Sequence, residues 1–121
     1  MPHPNFVILY VDSPEASARF YAALLDTEPV ESSPTFALFA LASGLRLGLW
    51  SKRTVEPAPG GEGGGCELSI NVDTHAEVDA ACARWTERGV PLLMPPRTLE
   101  FGRSFVAVDP DGHRLRVFSP A

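Results

Sequence analysis

The sequence predicts an α+β fold made of two tandem βαβββ modules, and three observations carry that expectation. NFVILYVDSPEASARFYAALLDTEPV near the start is echoed by CELSINVDTHAEVDAACARWTERGVPL after the middle, with Val11-Asp12 matching Val72-Asp73 without a gap. Each copy opens on a short apolar run, turns at a polar residue and continues with apolar positions at helical spacing. Each predicted helix is followed by β-rich runs that hold a hairpin signal, Ser43-Gly44 in the first copy and Asp111-Gly112 in the second.

Taken in order, FVILYV is the first strand. Ser13 is placed to cap the helix that follows, Pro14 suits its first position, and Ala16, Phe20, Ala23 and Leu24 are expected to form its buried stripe. PTFALFALASGLRLGLW supplies the strands on either side of the Ser43-Gly44 turn. The segment 52–65, KRTVEPAPGGEGGG, reads as a flexible linker with no core of its own, so the modules span residues 5–51 and 66–119 of a single domain covering 1–121. In the second copy Thr74 and Glu77 form a T-x-x-E capping box, Val78, Ala81, Cys82 and Trp85 share one helix face, and Gly89 stops the helix. RSFVAVDPDGHRLRVFS closes the chain with strands around the DPDG turn.

Composition narrows the function classes. With 45% hydrophobic and 21% charged residues the chain reads as an ordinary soluble domain. A net charge of -5 argues against a nucleic-acid surface, which needs a clustered basic face. No apolar run approaches the roughly 18 residues of a membrane helix, and the N-terminus shows no leader pattern, so a cytoplasmic location with no membrane partner is expected. Cys66 and Cys82 are too few for a disulfide framework or zinc ribbon and are expected to be reduced, mostly buried thiols. His3, His75 and His113 fall in the tail, near a helix start and in a turn, and no Ser-His-Asp or Cys-His grouping is visible.

Together the paired modules, both helix starts and the DPDGH turn resemble the vicinal oxygen chelate superfamily, which includes glyoxalase I, extradiol dioxygenases and bleomycin-binding resistance proteins. The likeness runs from Asn5 to Ser119. It implies a cupped mixed sheet with helices on the convex side, a site in the hollow and a homodimer. The opening PNFVILYV, Phe20-Tyr21, LGLWS, Trp85-Thr86, FGRSF and DPDGHRLRV are similar to the superfamily's phenazine-resistance branch. That branch is metal-free. The resemblance therefore implies a binder without a cofactor that confers antibiotic resistance by taking up a planar aromatic compound such as a phenazine. The alternative is a metal-dependent lyase or oxygenase of the glyoxalase or dioxygenase type.

Metal-using members take ligands from the first and last strands of each module, and those positions map to Phe6, Gly48, Glu67 and Arg116. Only Glu67 is a donor for a divalent ion, since a phenyl ring, a hydrogen and a permanent cation are not. Arg116 then either meets Glu67 in a salt bridge or turns with it to solvent. Strand alternation with these positions inward also brings Ile8, Tyr10, Arg46, Trp50, Ser69, Asn71, Arg114 and Phe118 into the hollow, leaving an aliphatic side for the helices. The candidate ligand-binding residues are Phe6, Tyr10, Phe36, Phe39, Arg46, Gly48, Trp50, Glu67, Arg103, Ser104 and Arg116, with no catalytic residue and no metal ligand. Alternation does not decide between Phe36 and Phe39. Trp50 is either a stacking residue or a core or interface residue, and Gly48 is expected to leave room for the ligand. Aromatic rings with a few directed polar groups suit a flat, partly polar compound.

Overall fold

The computed structural model describes residues 3–61 and 65–121. The chain divides into two compact units, Met1–Gly61 and Glu62–Ala121. The first holds β1 (Phe6–Val11), α1 (Pro14–Leu25), β2 (Glu31–Ser32), β3 (Phe36–Ala40) and β4 (Arg46–Ser51). The second repeats the order with β5 (Glu67–Asn71), α2 (His75–Glu87), β6 (Leu92–Leu99), β7 (Gly102–Val108) and β8 (Arg114–Pro120). Each forms a four-stranded mixed sheet, β1-β4-β3-β2 in one and β5-β8-β7-β6 in the other, so the expected α+β repeat is the one observed. In both, the last strand lies parallel to the first and antiparallel to the strand before it.

The helices start where the sequence places their caps. Ser13 accepts a hydrogen bond from the Ala16 amide at 3.2 Å, with Pro14 as the first helical residue. Thr74 accepts from the Glu77 amide at 3.1 Å, while the Glu77 carboxylate reaches back to the Asp73 amide at 3.3 Å. The capping box is therefore closed one residue earlier than in its usual form. Beyond α2, the Val90 amide donates to the Trp85 carbonyl across Gly89, which ends the helix as predicted.

Burial follows from period-2 alternation on the strands and the helix stripe against them. In the first unit Leu9, Val11, Ala37, Phe39, Leu47 and Leu49 are buried on the side that α1 covers. Val78, Trp85, Phe105, Ala107, Leu115 and Val117 play the same part in the second. Each large apolar side chain removed from water contributes about 1.5–3 kcal/mol, so these two sets dominate the stability of the units. The α2 stripe is the predicted one, Val78, Ala81, Cys82 and Trp85. The α1 stripe is not: its buried residues are Pro14, Ser17, Ala18, Tyr21 and Leu24, while Ala23 is exposed. Pro14 at the first helical position lies against the sheet, and three- and four-residue steps from it reach Ser17, Ala18 and Tyr21 rather than Ala16 and Phe20.

Two further expectations are corrected. Cys66 is exposed, and only Cys82 is a buried thiol. The segment read as linker is not loose at its start, because the Lys52 amide donates to Val11 at 2.9 Å and Val55 is buried, fixing residues 52–55 to the end of β1 and β4. The part of the linker at 62–64 lies outside the described residues. The strand β6 runs through Pro95-Pro96. It survives because it is the edge strand and shifts register at Leu92/Met94 and Met94/Arg97.

The DPDG turn is held by one buried carboxylate. Asp109 Oδ1 accepts from the amides of Asp111 at 2.8 Å and His113 at 2.9 Å, and the Asp109 amide donates to the His113 carbonyl at 2.9 Å. Gly102, at the start of β7, has φ +151, and a Cβ there would run into the Ser119 carbonyl and sit 2.7 Å from Cε1 of Phe118. Gly102→Ala should therefore lower stability by about 2–3 kcal/mol through combined overpacking and backbone strain, read as a drop in the urea midpoint with unchanged slope. At the other end of the chain, Arg53 donates to the Asp12 carboxylate and to its carbonyl at 2.7 Å. This hydrogen bond, and then the charge of Arg53, hold the Asp12 carboxyl below its ordinary value. The pair's contribution is present above the unfolded pKa of aspartate and fades as pH falls through the lowered one. Arg53→Ala should move the Asp12 midpoint upward, followed by carboxyl NMR.

Candidate functional site

The face of each sheet turned away from its helix carries the candidate residues. In the first unit, registration across β1, β4 and β3 sets them in rows: Tyr10–Trp50–Phe36, then Ile8–Gly48–Leu38, then Phe6–Arg46–Ala40. The first row is aromatic throughout. Trp50 stands edge-on to both neighbours, with centroids 6.4 Å from Tyr10 and 6.4 Å from Phe36 and interplanar angles of 79° and 85°. Phe6, Ile8 and Tyr10 keep 37%, 42% and 43% of their surface exposed, an unusual load of apolar surface for one edge strand.

Gly48 is not an open gap. A Cβ there would lie 2.9 Å from Cε1 of Phe6 and 3.0 Å from Cζ of Phe36, so these rings lean in from the rows on either side and cover the glycine. Absence of a side chain at 48 thus lets the two rings come down onto the sheet. The structure also separates Phe36 from Phe39: Phe36 shares the open face with Trp50, whereas Phe39 is fully buried on the helix side. Trp50 keeps partial exposure and belongs to the row, whereas Trp85 packs edge-on against Phe105 at 5.2 Å in the core.

In the second unit the same face carries a polar cluster beside Val106 and Phe118. Arg116 Nε donates to Glu67 Oε2 at 2.5 Å and Nη2 to Oε1 at 3.3 Å, a two-pronged pair linking β8 to β5. Its Nη1 donates to the Ser104 hydroxyl of β7 at 2.9 Å, so the guanidinium spans the three adjacent strands β5, β8 and β7. The side chains retain 22% and 33% exposure, which leaves the pair partly screened by solvent. Arg103 stands apart from this cluster. One residue from Ser104, it points to the helix side and pairs with Asp79 of α2 at 2.9 Å and with Thr98 at 3.0 Å. Arg97, opposite Ser104 in the β6–β7 ladder, shares the polar face and was missed because Pro95-Pro96 hid the strand.

The positions where a metal-using relative would place ligands do not fit a divalent ion here. Phe6 and Gly48 have no donor atom, and both oxygens of Glu67 are engaged by Arg116. Among the described residues no group of three or more His, Cys, Asp or Glu side chains is placed to hold one. His75 instead donates to the Pro120 carbonyl at 3.0 Å, tying α2 to the last strand.

Two βαβββ units with their last strands parallel to their first, each with an open sheet face, define a class. The model of the Glyoxalase/Bleomycin resistance protein/Dioxygenase superfamily matches residues 3–117, and the chain belongs to that superfamily. It is 31% identical over 119 residues to the phenazine antibiotic resistance protein EhpR of Enterobacter agglomerans, covering 94% of this chain and 89% of that one. A protein of Agrobacterium tumefaciens solved by NMR is 56% identical, with a TM-score of 0.90 over 100% of this chain and 99% of the other. A glyoxalase-related enzyme from Fulvimarina pelagi is similar at 25% identity and a TM-score of 0.85, covering 98% and 88% of the two chains. Among the described residues no helix is long and apolar enough to cross a membrane.

The Glu67–Arg116 pair gives a direct test of what holds the polar face. Arg116→Leu should cost about 1–2 kcal/mol, because it leaves a half-buried carboxylate and the Ser104 hydroxyl without their partner. Adding Glu67→Leu should restore most of that loss in a double-mutant cycle read by urea unfolding.

Proposed function

We propose that this protein binds a planar aromatic compound such as a phenazine, without a metal, and confers antibiotic resistance in the cytoplasm by sequestering it. The observation that carries this reading is the Tyr10–Trp50–Phe36 row with Phe6 beside it, four rings gathered on a partly exposed sheet face. Likeness to a protein named for phenazine resistance supports it. A flat tricycle laid on these rings gains about 0.5–1.5 kcal/mol per aromatic contact beyond area burial. Two such contacts change affinity by roughly ten- to a hundredfold. On the second unit's own open face, Glu67, Ser104 and Arg116 are the polar candidates, preorganised by their mutual hydrogen bonds. The active form is a homodimer, because each four-stranded sheet ends in edge strands that a second copy is suited to cover.

In a Trp85→Phe background, where Trp50 is the remaining indole, titration with phenazine should quench the emission along a saturable curve. Light scattering on the same sample should give the mass of two chains. Phe36→Ala should weaken the apparent affinity about tenfold. A folded protein whose Trp50 emission follows only collisional, non-saturating quenching would rule out the binder.

A further inference from the structure

We propose that the compound taken up on the aromatic face is an anion, a planar ring system carrying a carboxylate or sulfonate, and that Arg46 selects it. The inference rests on the binder reading and adds the charge of the guest. Arg46 stands on β4 in the same row as Phe6, on the same face as Gly48 and Trp50. Strand geometry puts it about 7 Å from Gly48 and about 13 Å from Trp50 along the strand. The rings over Gly48 therefore lie between the indole and the guanidinium. A tricycle resting on Phe6 and Phe36 brings an edge substituent within reach of Arg46.

Within the first unit, charge distinguishes Arg46: Arg53 is already paired with Asp12. The Arg46 guanidinium is exposed and has no ion pair or side-chain hydrogen bond among the described residues, its backbone amide alone being tied to Asn5. Of the described cations in the first unit, Arg19 lies on α1 and Lys52 and Arg53 follow β4, so Arg46 is the one on this face. The carboxylate of that face is Glu31, whose β2 register with Leu38 sets it two strands from β4, about 10 Å away. In a chain of net charge -5, an uncompensated guanidinium beside clustered aromatic rings attracts an anion and repels a cationic dye. Its planar fork also matches a carboxylate with two parallel hydrogen bonds.

The test uses two tricycles of one shape, acridine-9-carboxylate and acridine-9-carboxamide, titrated at pH 7.5 into the intact protein and into Arg46→Gln and Arg46→Lys. The carboxylate should bind about five- to tenfold more tightly than the amide, a preference that shrinks as salt rises. Arg46→Gln should abolish the preference while an unchanged circular-dichroism spectrum and urea midpoint show that the variant is folded, and Arg46→Lys should keep part of it. Equal binding of both compounds to the intact protein, or a preference that survives Arg46→Gln, overturns the inference and leaves the binder reading standing. If neither compound binds and phenazine does not either, both fall together.

Discussion

Parallel pairing of the first and last strands within each unit is the constraint from which the other features follow. Once β4 lies beside β1 with Ile8 opposite Gly48, every even-numbered side chain of β1 and β4 must share one face and every odd-numbered one the other. In β5 and β8 the faces are fixed likewise, odd-numbered residues of β5 sharing a face with even-numbered ones of β8, as where Ser69 stands opposite Arg116. A slip by one residue would turn Leu9, Val11, Leu47 and Leu49 out of the core and bring Arg46 and Tyr10 in. The cost of that exchange is far larger than any single polar contact on the open faces, so the core fixes where the candidate residues stand.

That pairing also explains why so much was legible in the chain itself. The two cap residues and the DPDG turn are short-range signals, and each is realised by a local hydrogen bond. Alternation on the four strands named as candidates needed only period-2 reading, and it placed Phe6, Tyr10, Arg46 and Trp50 together, whereas of the two alternatives left open for Arg116 the structure shows the pair with Glu67. What was not legible depended on partners distant in sequence. The α1 stripe turned on how Pro14 meets the sheet, β6 on an edge position that tolerates Pro95-Pro96, and Arg103 on Asp79 of α2. Phe36 and Phe39 are three residues apart, and only the ladder with β4 tells which one meets Trp50.

The two halves have kept one backbone plan and diverged in surface chemistry. At equivalent positions of the first and fifth strands, Phe6, Ile8 and Tyr10 stand where the other unit has Glu67, Ser69 and Asn71. One open face offers polarizable area with weak directionality, and the other a guanidinium locked by three hydrogen bonds. Side chains on an open face are free to change without disturbing the core, and that freedom allows one repeat to serve unlike purposes.

The rings lying on Gly48 restrict the order in which this chain can change. A donor side chain introduced at 48 would meet Cε1 of Phe6 at 2.9 Å and Cζ of Phe36 at 3.0 Å, so it gains entry only after those rings have swung aside or been trimmed. Across the chain, freeing Glu67 for coordination would require replacing Arg116 as well. Gain of ion chemistry on either face would thus take more than one change, and on the first it begins by displacing two phenyl rings from their contact over the glycine.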